Sequence, residues 1–407
     1  MKPPPRAGED YTARMSSPAA TKREFNFGAG NPDPGVFPAD ALAEAAARII
    51  PKMGRQLARY PEAKGLPQLR EIAVERFFRA HGVKPAIEDI VITNGSMQGL
   101  ALTAQGLARP GDCVITEEFQ YSGTIRVYKL NGLDLIPVPQ DDEGMQVEHL
   151  KDVLQRHLDA GGKKPAFIYT TASYQNPTGT TMPLRRRQVL VEFARKLGMV
   201  IVDDDCYADV SFVPQMEPAI YKLAAPGECV YLASFSKILG PGVRLGYILA
   251  PEPLMGRMTQ WKTDGGISEL SQMIVAEYLQ DHMWDHIKEG SRAVKEKRDE
   301  LLDSLEREFA GMPMSWTHPD GGLFMFVKLP DQVDRARLQQ LAQERGIVYG
   351  TGQAFHSQNA DVPYLRLAFG WIDKNDIRDG VHQLAECVKL ALEPSPAAAG
   401  EGRVRVP

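Results

Sequence analysis

Cysteine is scarce in this chain. Cys113, Cys206, Cys229 and Cys387 are scattered over 407 residues without any CxxC pairing. Such spacing offers no disulfide framework and reads as reduced thiols in a reducing, cytoplasmic compartment. Long apolar runs are missing as well: none approaches the roughly 18–20 residues of a membrane span. The opening residues, MKPPPRAGEDYTARMSSPAATKRE, lack the apolar core of a signal peptide. There is no basic excess. The 47 Lys and Arg stand against 52 Asp and Glu, a formal net charge of -5, so neither nucleic acid nor an anionic membrane is an expected partner. Internal repeats and low-complexity linkers are absent between the two ends.

What is present is a chain 43% hydrophobic, enough for one large core or two domains sharing an interface. Residues 1–23 and 393–407, rich in Pro, Ala, Ser and charge, read as disordered tails. Between them, short β-branched runs alternate with helical patterns. DIVITNG (89–95), DCVITEE (112–118), PAFIYTT (165–171), MVIVDDD (199–205), CVYLASFS (229–236) and VRLGYILA (243–250) read as strands. MQGLALTAQGLA and RRRQVLVEFARKLG read as helices between them. This alternation predicts an α/β fold, a mostly parallel mixed sheet flanked by helices, with its site at the carboxyl ends of the strands. From about Gln272 the pattern changes to a long helix near 272–309, the strand-like GGLFMFVKLP, IVYG and YLRLAFG, and helices near 334–345 and 373–392. The expected division is a segment 24–59 packing with a smaller α+β domain 272–392, and a large domain 60–271.

Four local patterns end these strands. In Ser234-Phe-Ser-Lys237, followed by Gly240-Pro-Gly-Val-Arg244, a lysine sits in an apolar setting where its charge is costly to bury. Schiff-base chemistry is one reason to keep it there, since a desolvated or cation-flanked lysine is nucleophilic near neutral pH. Taken alone, SxSK reads more readily as a solvated loop lysine, and the spaced GPGxR reverses that preference. Asp203-Asp204-Asp205-Cys206-Tyr207 closes a buried strand. Consecutive strand residues alternate faces, which argues against a metal site. One inward carboxylate beside a pyridine nitrogen is a better use, with a solvated strand end as the plain alternative. Gly95-Ser96-Met97-Gln98 takes a strand into a helix N-terminus, a natural phosphate cradle. Asn176-Pro-Thr-Gly179 follows a strand and is by itself an ordinary turn.

In this order and at these separations, the four patterns resemble fold-type I pyridoxal-phosphate (PLP) enzymes. The resemblance is to class I/II aminotransferases, in particular their α-aminoadipate and kynurenine aminotransferase-like branch, and it covers about residues 25–392. FNFGAGNPDPGVFP (25–38), RYPEAKGLPQLREIA (59–73), YQNPTG (174–179), PDGGLFMFVKLP (319–330) and YLRLAFG (364–370) support it. The resemblance implies that Lys237 is the Schiff-base lysine and proton shuttle, and that Asp204 pairs with the pyridine nitrogen. It implies that Tyr207 and Asn176 bond the ring's phenolic oxygen, that Tyr121 stacks on the ring, and that Ser96, Met97, Ser234, Ser236 and Arg244 surround the phosphate. Tyr60 would reach the phosphate of a partner subunit in a homodimer. Arg366 would grip the substrate α-carboxylate beside Asn176, and Gly30 would line the substrate pocket.

The expected function is transfer of an amino group from an L-α-amino acid to a 2-oxo acid such as 2-oxoglutarate, by ping-pong chemistry. A PLP lyase, oxidase or cyclase of the same fold, and a PLP-binding regulator domain, are the alternatives; the latter is disfavoured because residues 1–23 hold no DNA-binding segment. The branch often carries an arginine-bearing helix ahead of its G-x-P segment, and here a Pro/Ser/Ala stretch stands instead. Asp264-Gly-Gly-Ile-Ser268 replaces a more polar segment, and Thr351 stands where proline is common. An uncharged, aromatic or large aliphatic donor is therefore expected, with Phe37 and Tyr121 as apolar contacts and Arg23 as the one residue that could fold back as a missing cation. His282 and His286 read as a helix face rather than zinc ligands, and Arg185-Arg-Arg187 as solvated surface.

Overall fold

The computed structural model describes residues 23–393. The two expected tails fall almost wholly outside these described residues. Among the described residues no helix is long and apolar enough to cross a membrane.

Seven strands form the principal sheet. They are β1 (Ile90–Thr93), β2 (Cys113–Glu117), β3 (Asp134–Val138), β4 (Phe167–Thr170), β5 (Val200–Asp204), β6 (Cys229–Ser234) and β7 (Gly246–Leu249). Their order is β1-β7-β6-β5-β4-β2-β3. Only β7 runs against its neighbours; the other pairings are parallel. The central strands are buried along their whole length, as the continuous Val/Ile runs require when helices cover both faces. The sequence reading of six strands is matched, and β3 is added to it. Pro137 and polar Asp134 obscure β3 in the sequence, and β3 lies at the sheet edge, where proline is tolerated.

Helix α1 (Gly95–Leu107) follows β1, and α2 (Leu184–Leu197) lies between β4 and β5. Helix α3 (Glu269–Glu308) is 40 residues long, about 60 Å at 1.5 Å per residue. Its first residues are capped by Ser268, and its far end packs on α4 (Lys374–Leu392). A second, antiparallel sheet joins Ser315–Trp316, Phe324–Lys328, Tyr364–Ala368 and Gly350–Thr351 in that order. Phe25 and Asn26 pair with Ile347 and Val348, and Ala368 N–H donates to Phe27 C=O at 2.7 Å. The chain's first described residues are thereby sewn to this sheet before Gly28 and Gly30 pass over the tips of the first one.

One reading is corrected here. Of Arg185, Arg186 and Arg187 only the first is a surface residue. Arg187 is fully buried and Arg186 nearly so. Arg187 donates to the carbonyls of Met182 (2.7 Å), Ala172 (2.8 Å) and Pro218 (3.1 Å). The signal was available in the helix period: Arg187 shares a face with the buried Leu190, Val191 and Ala194.

Candidate active site

A cleft of about 320 Å³ opens where the strands of the principal sheet end and the second sheet begins. It gathers Gly30, Ser96, Met97, Tyr121, Asn176, Asp204, Tyr207, Ser234, Ser236, Lys237, Arg244 and Arg366 from eight parts of the chain. Of the residues given a role by the resemblance, Tyr60 alone lies outside it; its side chain stands 92% exposed.

At one end of the cleft the chain turns from β1 into α1. Gly95 has φ +66°, and a Cβ there would lie 2.7 Å from Arg244 Nη2. The glycine lets the guanidinium close on the helix start, where it donates to Asn94 C=O at 3.1 Å. The first-turn amides of Ser96 and Met97 have no acceptor within their own helix. With the helix dipole, Arg244 and the hydroxyls of Ser234 and Ser236, this end is built for an anion.

At the other end Asp204 is buried, and both its oxygens are occupied. Tyr169 O–H donates to Oδ2 at 2.8 Å and the Cys206 thiol to Oδ1 at 2.9 Å. Burial pushes its carboxyl up, and these two bonds pull it back. Strand alternation sends Asp203 and Asp205 to the opposite face. There Asp203 accepts from Ile220 N–H (2.9 Å) and Asp205 from Tyr231 O–H (3.1 Å). Burial, with the neighbouring Asp205 carboxylate, pushes the Asp203 carboxyl up, while Arg187 opposes. All three aspartates are buried, so the solvated strand end is excluded.

Lys237 Nζ lies between these ends. It donates to Gly30 C=O at 2.6 Å and sits 5.5 Å from the centre of the Tyr207 ring. Burial brings its ammonium down to about 8, and the positive Arg366 and Arg244 add to this. Asn176 bridges the last pair: its Nδ2 donates to Tyr207 O–H (3.1 Å) and its Oδ1 accepts from Arg366 Nη1 (3.1 Å). Arg366 also donates to Gly28 C=O and is sandwiched between the rings of Phe324 (4.6 Å) and Phe355 (4.5 Å). Its Nε is buried without a partner. Gly30 is held to glycine by space: a Cβ would meet the Phe324 ring at 2.9 Å.

Sequence reasoning missed Tyr169, Thr171, Cys206, Phe324 and Phe355 as lining residues. Tyr169 on β4 and Thr171, one residue past its end, are two positions apart and so point the same way, a legible signal. Phe355 has no local signal, since only the fold brings it to Arg366. Other expectations are corrected. Arg23 does not reach the cleft; it pairs with Asp376 and Asp379 at the start of α4. Phe37 is half-exposed and does not line the cleft. Gly265 and Gly266, with φ +71° and +103°, lie against Tyr60 and Pro61 rather than in it. The reading of His282 and His286 as a helix face holds: both lie on α3, where His286 is buried with Nε2 2.9 Å from Ile238 C=O.

The family model for aminotransferase class I and II matches residues 22–384. The aromatic-amino-acid aminotransferase 1 of Thermococcus litoralis is 31% identical over 376 residues, covering 92% of this chain and 90% of its own. The α-aminoadipate aminotransferase of Thermus thermophilus, solved with N-(5'-phosphopyridoxyl)-L-leucine, superposes with a TM-score of 0.83 at 31% identity, over 90% of this chain and 92% of that one. The kynurenine aminotransferase of Pyrococcus horikoshii, solved with PMP, gives a TM-score of 0.85 at 31% identity over 96% of each chain.

Proposed function

Because the chain belongs to the class I and II aminotransferase family and is a PLP-dependent aminotransferase, we propose that it moves the amino group of an L-α-amino acid with an uncharged side chain to a 2-oxo acid, 2-oxoglutarate for choice. The two half-reactions alternate on one site. When bound, PLP supplies an electrophilic carbon for the amino group and a ring that withdraws electrons.

Each residue then has a task. The α1 N-terminus, Ser96, Met97, Ser234, Ser236 and Arg244 bind the phosphate. Asp204 keeps a proton on the ring nitrogen, and the donors from Tyr169 and Cys206 favour the charged carboxylate this requires. Asn176 and Tyr207 hold the phenolic oxygen, and Tyr121 covers the ring. Arg366 takes the substrate α-carboxylate as a fork, for which its unpartnered buried Nε is free. Lys237 Nζ removes the proton from the substrate Cα; an ammonium brought down to about 8 has a usable neutral fraction near neutral pH. Tyr60 reaches across to a second copy of the chain.

One observation carries the donor class. The cations lining the cleft are Lys237, Arg244 and Arg366, and each already has a task. Among the described residues a distal carboxylate finds no fourth cation lining the cleft, and burying it unpaired costs several kcal/mol. The second carboxylate of 2-oxoglutarate would stay at the solvated mouth, so the selectivity is a preference. The relatives named for aromatic amino acids and for kynurenine fit an uncharged donor. The test is a donor panel at fixed 2-oxoglutarate ranked by kcat/KM. Phenylalanine, leucine or methionine should lead; α-aminoadipate ahead of all three by tenfold defeats the proposal.

A further inference from the structure

One buried carboxylate outside the cleft belongs to none of these tasks. Glu117 ends β2, is 1% exposed and does not line the cleft. Its Oε1 accepts from Thr170 O–H (2.6 Å) and Thr171 N–H (3.2 Å), and its Oε2 accepts from Gln175 Nε2 (2.9 Å). A buried carboxylate is expensive, and desolvation pushes this one up to about 8. A core that needed only volume would use an apolar residue here.

Gln175 is the object of the arrangement. Its Nε2 also donates to Phe119 C=O (2.6 Å), and its Oε1 accepts from both the amide (2.9 Å) and the hydroxyl (2.8 Å) of Thr178. The side chain thus fills the turn that its own backbone makes, where Gly179 N–H donates to Gln175 C=O at 2.6 Å. Every donor and acceptor of the Gln175 amide is used, so its placement is fixed once Glu117 fixes the Nε2 end. The next residue is Asn176, whose amide must donate to Tyr207 and accept from Arg366 together. Movement of either bond by a few tenths of an ångström uncouples the two.

We propose that Glu117 is a positioning residue for transamination: through Gln175 it sets the Asn176 amide, and through that amide it aligns Tyr207 and Arg366. This rests on the roles proposed above for Asn176, Tyr207 and Arg366. It acts at a distance from the reacting atoms, so it should alter substrate capture and the environment of the bound cofactor more than it alters folding.

The test compares holoenzymes of wild type, Glu117→Gln, Gln175→Leu and their double variant. Glu117→Gln keeps the volume, but when its oxygen faces Thr170 and Thr171 it turns an N–H₂ against the N–H₂ of Gln175. Thr103→Val is the control, an equally buried hydroxyl bonded within its own helix. Each single variant at positions 117 and 175 should raise KM for the best donor at least fivefold. Each should also move the pH at which the bound cofactor's absorbance changes. The double variant should be no worse than the poorer single one, as for two links of one path. Thr103→Val should lower Tm and leave KM and absorbance alone. Wild-type KM and absorbance in Glu117→Gln, or additive losses in the double variant, would overturn the proposal. If Glu117→Gln does not fold, Thr170→Val removes one of the three bonds and is held to the same KM and absorbance criteria. Wild-type transamination stands in every case, so failure here is separable from failure of the proposed function.

Discussion

Arg366→Lys preserves a positive charge where the α-carboxylate is expected and removes only geometry. The guanidinium is stacked between Phe324 and Phe355 and steered by Asn176 and Gly28. An ammonium can make one strong bond to a carboxylate oxygen where the fork makes two. The lost charge-assisted bond is worth about 1.5–3 kcal/mol. Weaker stacking on two rings removes about 1 kcal/mol more. The sum, about 2.5–4 kcal/mol, is a fall of roughly 10²–10³ in kcat/KM at about 1.4 kcal/mol per decade. Because the bond forms on binding, most of the loss should sit in KM, and an unreactive carboxylate analogue should lose affinity in parallel. The assay is initial rates over a donor concentration series, with the analogue as competitive inhibitor. A kcat/KM within threefold of wild type would refute the fork, and a loss confined to kcat would refute the assignment to binding.

Other expectations are open to measurement. In cofactor-free protein the neutral Lys237 amine is the nucleophile, and burial brings its ammonium to about 8. The rate of PLP capture should therefore climb as pH rises through about 8 and level above it; a rate flat from about pH 6.5 to 9 would contradict this. Arg187→Met strips the counter-charge from Asp203 and Asp205 and leaves three carbonyls without their donor. A loss of about 3–5 kcal/mol is expected in denaturant unfolding, and less than about 1 would show those charges to be solvated. Tyr60→Ala, at a side chain 92% exposed, should leave the stability of the chain within about 0.5 kcal/mol. It should nevertheless weaken retention of PLP, and wild type should sediment as a homodimer. A fully active monomer at assay concentration ends that reading.

The sheet was legible because its strands are written as β-branched runs that stop at polar residues, and in a parallel sheet those stops converge. Ser96, Asp204 and Lys237 lie within or directly after such a run, and Asn176 follows one by five positions, so local pattern located them. Arg366 was reached by resemblance, and nothing in YLRLAFG by itself says that two phenyl rings enclose it. Glu117 was read only as part of a strand, because its meaning depends on Gln175, 58 positions away. Arg187 was misread from its basic neighbours, although the period of its own helix marks it as buried. Phe37 was expected as an apolar contact of the pocket, but it does not line the cleft.

The account depends most on Lys237 as the residue that holds the cofactor. Borohydride reduction of the holoenzyme, followed by peptide mass mapping, fixes the cofactor to whichever lysine carries it. The phosphopyridoxyl mass should fall on the peptide containing Ser234-Phe-Ser-Lys237, and Lys237→Ala should show neither that mass nor turnover. The mass on any other lysine, or undiminished transamination by Lys237→Ala, would contradict the account.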